Sequence, residues 1–144
     1  MKLLETPKGN FYLVAPVERL HRESTEWLEE IEFWKDEAAF FYTLLLKKND
    51  KKPRTKAIVN IDNHLIYISS EKLDDLKLEI QTHERFLSGI LESPRPDNEK
   101  YRTKHLSLSK KMYDFEKEFK ALKRQIFSLV KGKKKIVLVS AKSK

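Results

Sequence analysis

The sequence predicts an all-α protein built as a long antiparallel three-helix bundle, with up-down-up topology and coiled-coil-like packing. Two observations predict this fold. Apolar residues recur three and four positions apart along three long stretches, and only 3 glycines and 5 prolines interrupt the 144 residues. These breaks divide the chain into a lead-in at 1–16, a bundle at 17–132 and a basic C-terminal tail at 133–144, with helices at about 17–48, 55–92 and 98–131.

The first predicted helix begins beside Pro16, a residue that suits a first helical turn because the N–H it lacks would have no helical partner there. A seam of apolar residues runs from Val17 to Leu45 and contains one polar position, Ser24. Acidic side chains dominate the first half of the helix and lysines its end, an order that complements the helix macrodipole. One face of this helix is therefore predicted to be buried along its length.

A second apolar line on the same helix consists of Phe33, Phe40 and Leu44. A lone three-helix bundle would leave this line exposed, and soluble monomers rarely expose a patch of this kind. We therefore expect a homodimer whose interface contains these three residues. The alternative is that the N-terminal run Phe11–Val14 or the C-terminal tail folds over the line.

The second predicted helix changes register once. Its apolar positions keep heptad spacing up to Ile68 and again from Leu73, but the two series are offset by one residue at the Ser69-Ser70 pair. We expect a local bend, a register shift or a short break there. The β-branched residues before the offset also fit a strand, but the three-four period over the whole stretch favours a helix.

The third predicted helix follows the strongest break, 93–97, whose two prolines cannot continue a helix. Its apolar seam is regular from His105 to Leu129. Short β-favouring runs flank the bundle at Phe11–Val14 and Ile136–Val139. The first run is expected to be extended or packed on the bundle, and the second to form a short strand, a docked tail or a disordered segment.

Composition narrows the class of protein. Charged residues make up 36% of the chain and hydrophobic residues 40%, which is too apolar for a disordered chain and too charged for a membrane protein. The longest uncharged apolar stretch, Ala38–Leu46, is about half of the ~20 residues that a membrane-spanning helix needs, so no span is expected. The absence of cysteine excludes disulfides and thiolate metal sites, and it fits a cytoplasmic location.

Standard catalytic signatures do not occur in the sequence. There is no glycine-rich phosphate loop, no G-x-S-x-G motif and no H-E-x-x-H motif. The chain is therefore expected to be non-enzymatic. The leading prediction is a self-associating helical protein that acts through protein–protein interaction, with a second copy of itself and with a protein partner.

An alternative function is non-specific binding of polyanions such as DNA or RNA. The net charge of +8 permits an acidic partner, and an up-down-up bundle brings the first loop and the end of the third helix to the same pole. No aromatic residues are interleaved with these basic residues, so sequence-specific contacts are not expected. The candidate residues are Lys47, Lys48, Lys51, Lys52, Arg54, Lys131, Lys133, Lys134 and Lys135.

A second alternative is a site for zinc, iron or manganese, and no other cofactor is expected. Folding the predicted helices against one another places three histidines near one level, and one Glu-x-x-His pair has the spacing that di-iron bundles use. The simpler interpretation is that two of the histidines share a hydrogen bond in the core while the third is solvated. The candidate ligands are His21, His83, His105, Glu18 and Glu79.

Overall fold

The structure, a computed structural model, describes residues 7–48, 55–93 and 100–131. Of these described residues 96% are helical and none forms a strand, so the predicted all-α class is confirmed. The finer prediction of a three-helix up-down-up bundle is not confirmed, because the described chain contains more helical elements than three. They are α1 (Pro7–Val14), α2 (Val17–Lys48), α3 (Lys56–Tyr67), a π-helical segment (Ile68–Lys72), α4 (Leu73–Glu92) and α5 (Lys100–Lys131).

Helix α1 corrects one expectation for the N-terminus, a short extended segment, and confirms the alternative that this run packs on the bundle. The run Phe11–Val14 is helical, and the helix stops just before Pro16, whose ring cannot continue it. Docking of α1 buries Tyr12 completely and Ala15 almost completely, in a small core cluster with residues of α2, α4 and α5. Burial of one large aromatic side chain explains why this short segment folds against the rest. The C-terminal run Ile136–Val139 lies outside the described residues.

The predicted seam of α2 is confirmed. Leu20, Ile31, Trp34 and Leu45 are buried, and the polar position Ser24 is buried with them. The Ser24 hydroxyl donates a hydrogen bond to the backbone carbonyl of Leu20 at 3.0 Å, so its polar atom is satisfied inside the core.

The offset in the second predicted helix is a π-helical segment of five residues, Ile68–Lys72. A π-helical turn holds about one residue more than an α-helical turn, so it absorbs the extra residue without breaking the rod. Ile68 and Leu73 are both buried although they lie five positions apart. The Ser70 hydroxyl donates to the Ile66 carbonyl at 2.6 Å, and Thr55 caps the N-terminus of α3 by accepting from the Ile58 N–H at 3.2 Å.

Side-chain pairs give the relative directions of the long helices. His21 and Lys35 of α2 pair with Glu84 and Asp74 of α4, so these two helices run antiparallel. On the other side of α2, Glu23 and Glu37 pair with His105 and Lys123 of α5, so α2 and α5 run parallel. The main core lies between these helices and is dominated by aliphatic residues and by Trp34, Phe115 and Phe119. Across the three described ranges, no helix combines the length and apolar content needed to cross a membrane.

Candidate functional site

The surface between α2 and α5 carries an aromatic groove of about 540 Å³. Phe33 and Phe40 of α2 are each 57% exposed, and Phe127 of α5 is 46% exposed. The ring of Phe127 stands edge-on to that of Phe41, with centroids 5.3 Å apart, so the groove is continuous with the core. Leu44, the third residue of the predicted line, instead packs against the core, because its position on α2 turns it toward the other helices.

Charged side chains border this aromatic groove. Glu37 and Lys123 close it on one side with an ion pair at 3.1 Å. Lys120 and Arg124 of α5 and Asp36 of α2 are exposed, and none of the three forms an ion pair with another described residue. The part of the α2–α5 surface that surrounds the aromatic groove therefore carries uncompensated positive charge on α5.

The same surface becomes acidic closer to the start of the two helices. A second, more polar groove of about 370 Å³ lies there, with Trp27 and Tyr113 on its walls. Glu26 and Glu30 of α2 and Glu116 of α5 border it, are exposed, and form no ion pair within the described ranges. We call the whole surface, both grooves together, the α2–α5 face; it has an acidic half and an aromatic-basic half.

A chain of hydrogen-bonded polar side chains, all buried except the partly exposed Glu23, links four helices beside this face. The Nε2 atom of His105 lies 2.8 Å from Oε1 of Glu23, and Nδ1 of His105 lies 3.0 Å from Nε2 of His83. The Tyr12 hydroxyl donates to the same Glu23 oxygen at 2.7 Å. The ring of Trp27 stacks on that of His105 with centroids 4.5 Å apart. His105 is fully buried, so its two hydrogen bonds are what makes its burial tolerable.

The hydrogen-bonding capacity of each group fixes the direction of this chain. An ionised Glu23 carboxylate can only accept, so Nε2 of His105 donates to it. In neutral His105 the Nδ1 atom then accepts, and Nε2 of His83 donates to it. Burial, followed by the charges of His105 and Lys104, lowers the pKa of His83 from 6.5 to about 4. Burial also raises the pKa of the Tyr12 hydroxyl.

The residues of the predicted metal site do not come together as a group. His83 and His105 are adjacent, as the simpler interpretation predicted, but His21 pairs with Glu84 at 2.7 Å. Glu79 accepts hydrogen bonds from Lys111 at 2.7 Å and Lys104 at 3.1 Å, of which the Lys111 bond is the main reason that its pKa is lowered. Within 7–48, 55–93 and 100–131 there is no set of three or more histidine, aspartate or glutamate side chains arranged to hold a metal ion. The remaining candidate, Glu18, is exposed on α2.

Two of the predicted polyanion-binding residues are described together with their side chains. Lys47 and Lys131 are exposed near the ends of the parallel helices α2 and α5. The side chain of Lys48 and the whole of Lys51, Lys52, Arg54, Lys133, Lys134 and Lys135 lie outside the described residues.

Two important residues are absent from the predicted candidates, although Glu23 was expected close to the level of the histidines. Glu23 is the carboxylate that contacts His105, whereas Glu18 was chosen because of its spacing from His21. The sequence signal was that Glu23 adjoins the buried seam position Ser24. Phe127 was missed because it lies off the seam of the third helix, where a single aromatic residue carries no periodic signal.

Comparison of the chain with protein-family models, curated proteins and solved structures gives no match.

Proposed function

We propose that this chain is a non-enzymatic interaction protein that forms a homodimer through its α2–α5 face. The observation that carries the proposal is the exposure of Phe33, Phe40 and Phe127 beside charges that have no partner in the described chain. Aromatic rings this exposed and this close together are typical of a surface that is covered by a partner. In this proposal the described residues form an up-down-up bundle of three rods. The first rod is α2 and the third is α5. The second rod consists of α3, the π-helical segment and α4.

The arrangement of charge favours a second copy as the partner. Homodimers form most often about a twofold axis, so that each copy presents the same surface to the other. A twofold axis perpendicular to the parallel helices α2 and α5 lays the acidic half of one copy on the aromatic-basic half of its partner. Glu26, Glu30 and Glu116 of one copy then lie at the level of Lys120 and Arg124 of the other copy, in both directions at once. The surface is thus complementary to itself.

The exposed rings supply enough apolar area for association. Three half-exposed phenylalanines in each of two copies remove roughly 600 Å² from water, which is worth about 15 kcal/mol of gross transfer free energy. Loss of translational and rotational freedom opposes this with about 4–15 kcal/mol. The proposal is therefore a dimer of moderate affinity whose orientation is set by the charges.

Light scattering coupled to size-exclusion chromatography tests the dimer. The Phe40→Asp variant places a carboxylate in the aromatic groove and is expected to be monomeric at concentrations at which the unsubstituted chain is dimeric. Leu78→Asp is the matched control, because Leu78 is 61% exposed on α4, away from the α2–α5 face. A monomeric unsubstituted chain at about 100 μM, or a Phe40→Asp dimer as tight as the control, contradicts the proposal.

Charge reversal tests the twofold arrangement separately. The double variant Lys120→Glu/Arg124→Glu makes the whole surface acidic, and Glu26→Lys/Glu30→Lys makes it basic, so each alone is expected to be monomeric. Mixed together, the two variants are expected to form a one-to-one heterodimer, because opposite surfaces then meet. Failure of the mixture to associate, while the unsubstituted chain dimerises, would reject this orientation and leave dimerisation itself intact.

The alternative function, non-specific polyanion binding, rests on the exposure of Lys47 and Lys131 at neighbouring helix ends. An electrophoretic mobility-shift experiment with DNA and RNA at low and at physiological salt tests it. Polyanion binding would weaken steeply with added salt. No shift at low salt would eliminate this alternative.

A further inference from the structure

A second cleft, of about 500 Å³, lies between α4 and α5, apart from the α2–α5 face. Its walls are mainly apolar: Leu78 and Phe86 from α4, which are 61% and 42% exposed, and Tyr101 from α5. The rings of Phe86 and Tyr101 have centroids 6.3 Å apart. A concave apolar surface of this volume with a few polar groups is the usual form of a small-molecule site.

His83 is the polar group in the depth of this cleft. It lines the cleft and is only 5% exposed, and it is also the outer member of the buried chain that begins at Glu23. Since Nε2 of His83 donates to His105, the Nδ1 atom of neutral His83 carries a lone pair. No described side chain donates a hydrogen bond to this lone pair. The cleft therefore contains a buried proton acceptor, the Nδ1 atom of His83. The hydrogen bond from Nε2 of the same ring to His105 already holds the ring in its orientation.

The hydrogen-bonded series of His83, His105 and Glu23 can take up a proton at this position. A proton that reaches Nδ1 of His83 allows the Nε2 proton to pass to Nδ1 of His105, whose imidazole is held by the Glu23 carboxylate. The negative charge of Glu23 stabilises the resulting imidazolium. Burial opposes this charge, so the proton is retained only when an anion joins His83.

The rim of the cleft favours an anion. At this rim Lys104 shares the single carboxylate of Glu79 with Lys111, which lies outside the cleft, so Glu79 does not fully neutralise Lys104, and Lys100 lies at the same rim. The groups that face His83 are His105 and Lys104 of α5, Glu23 of α2, Tyr12 of α1 beyond Glu23, and Glu79 of its own helix.

We propose that this cleft binds a monocarboxylic acid with an apolar body, and that binding takes up one proton at the His83–His105 pair. The apolar body lies against Leu78, Phe86 and Tyr101. The carboxylate lies between the Lys104 ammonium group and Nδ1–H of a protonated His83. The proton comes from solvent, no covalent bond of the ligand is broken, and charge is conserved because each bound carboxylate is matched by one new imidazolium.

Isothermal titration calorimetry with octanoate tests the site. At pH 6, titrations in two buffers of different ionisation enthalpy give the number of protons bound per ligand, which is expected to approach one. The affinity is expected to fall about tenfold from pH 6 to pH 8, because the protonated complex becomes harder to form. Octanol, which has the same length but no carboxylate, is expected to bind more weakly and without proton uptake.

Variants assign the binding to the cleft. His83→Gln is expected to abolish proton uptake, and Lys104→Gln, an exposed substitution that leaves the core unchanged, is expected to weaken octanoate binding several-fold. Phe40→Asp, in the aromatic groove, is expected to change neither quantity. Octanoate that does not bind, or that binds the His83→Gln and Lys104→Gln variants as it binds the unsubstituted chain, would overturn the proposal.

Discussion

The imidazole rings of His83 and His105 lie side by side in the interior, with Nε2 of the first 3.0 Å from Nδ1 of the second. The two residues occupy seam positions on α4 and α5 at which leucine or isoleucine would satisfy the packing. The helices are joined at this level by a hydrogen bond in addition to apolar contact, and Glu23 of α2 extends the connection to a third helix.

Replacement of His105 by alanine is expected to lower the free energy of unfolding by about 3 kcal/mol. The change removes a fully buried ring from between Trp27 and Tyr12 and leaves His83 and Glu23 without their shared partner. Urea denaturation followed by circular dichroism measures the loss. His21→Ala is the control, because the pair of His21 with Glu84 is partly exposed and worth about 1 kcal/mol at most. Equal losses in the two variants would contradict the role given to His105.

Stability is expected to fall as the pH drops from about 6.5 towards 4. The pKa of His83 is about 4 in the folded chain and 6.5 when unperturbed, so within this window the unfolded chain binds the proton and the folded chain does not. Stability is therefore fully present above pH 6.5 and decreases below it, by up to about 3 kcal/mol. Denaturation midpoints measured at half-unit intervals of pH test this expectation.

The His83→Gln variant provides the control for the pH dependence. It removes the titrating group, so its stability is expected to vary less between pH 6.5 and pH 4.5. The pKa values of Glu79 and Glu118 are also lowered, chiefly through hydrogen bonds from lysines, and their stabilising effect is lost only at lower pH. An unchanged slope in the variant would show that another group causes the dependence.

Deletion of Ser70 is expected to be tolerated, with a change in stability below about 1 kcal/mol. The deletion removes the extra residue of the π-helical turn and brings Ile68 and Leu73 to the spacing of four that an α-helix places on one face. Deletion of Thr82, inside regular α4, is the matched control. It turns every later residue of α4 by about 100°, so that Leu87 leaves the core, and it is expected to cost at least about 3 kcal/mol. Thermal denaturation compares the two.

Substitution of Arg102 by methionine is expected to release α1. One guanidinium nitrogen of Arg102 donates to the backbone carbonyls of Tyr12 and Ala15, both at 2.7 Å, and so holds the C-terminal end of this short helix. Loss of these charged hydrogen bonds is worth about 1.5–3 kcal/mol and should speed chymotrypsin cleavage after Tyr12. Arg85→Met, an exposed change on α4, is the control. Equal cleavage rates in both variants would argue against this anchoring role.

The parts of the fold that sequence predicts are those fixed by local pattern. The start of α2 follows from Pro16 and its length from a seam with a single polar position, and the offset after Ile68 is visible as a change of spacing. The π-helical form of that offset is not predictable, because a bend or a break fits the same spacing. Helix α1 was missed because Phe11–Val14 is short and follows turn-forming residues, while its docking depends on Arg102, far along the chain.

Some candidate site residues were likewise predictable from the local sequence pattern, and others were not. The contact of His83 with His105 was predicted from seam positions on helices folded about their connecting loops, and the structure confirms it. The choice of Glu23 over Glu18 depends on the rotation of α2 about its axis, which a small error in the assumed helix geometry changes. The combination of Phe127 with Phe33 and Phe40 depends on the packing of α5 against α2, a tertiary fact that neither helix encodes alone.

The docking of α1 has a kinetic consequence. Tyr12 meets Ser109 across 97 positions of sequence and Arg102 across 90, whereas the antiparallel helices α4 and α5 meet across far shorter separations, such as 22 for His83 and His105. Loop-closure entropy delays contacts between distant parts of a chain, so α1 is expected to reach α5 after α4 and α5 have paired. Until that step the Glu23 carboxylate lacks the hydrogen bond from the Tyr12 hydroxyl, so the contact between α1 and the histidine chain is completed late in folding.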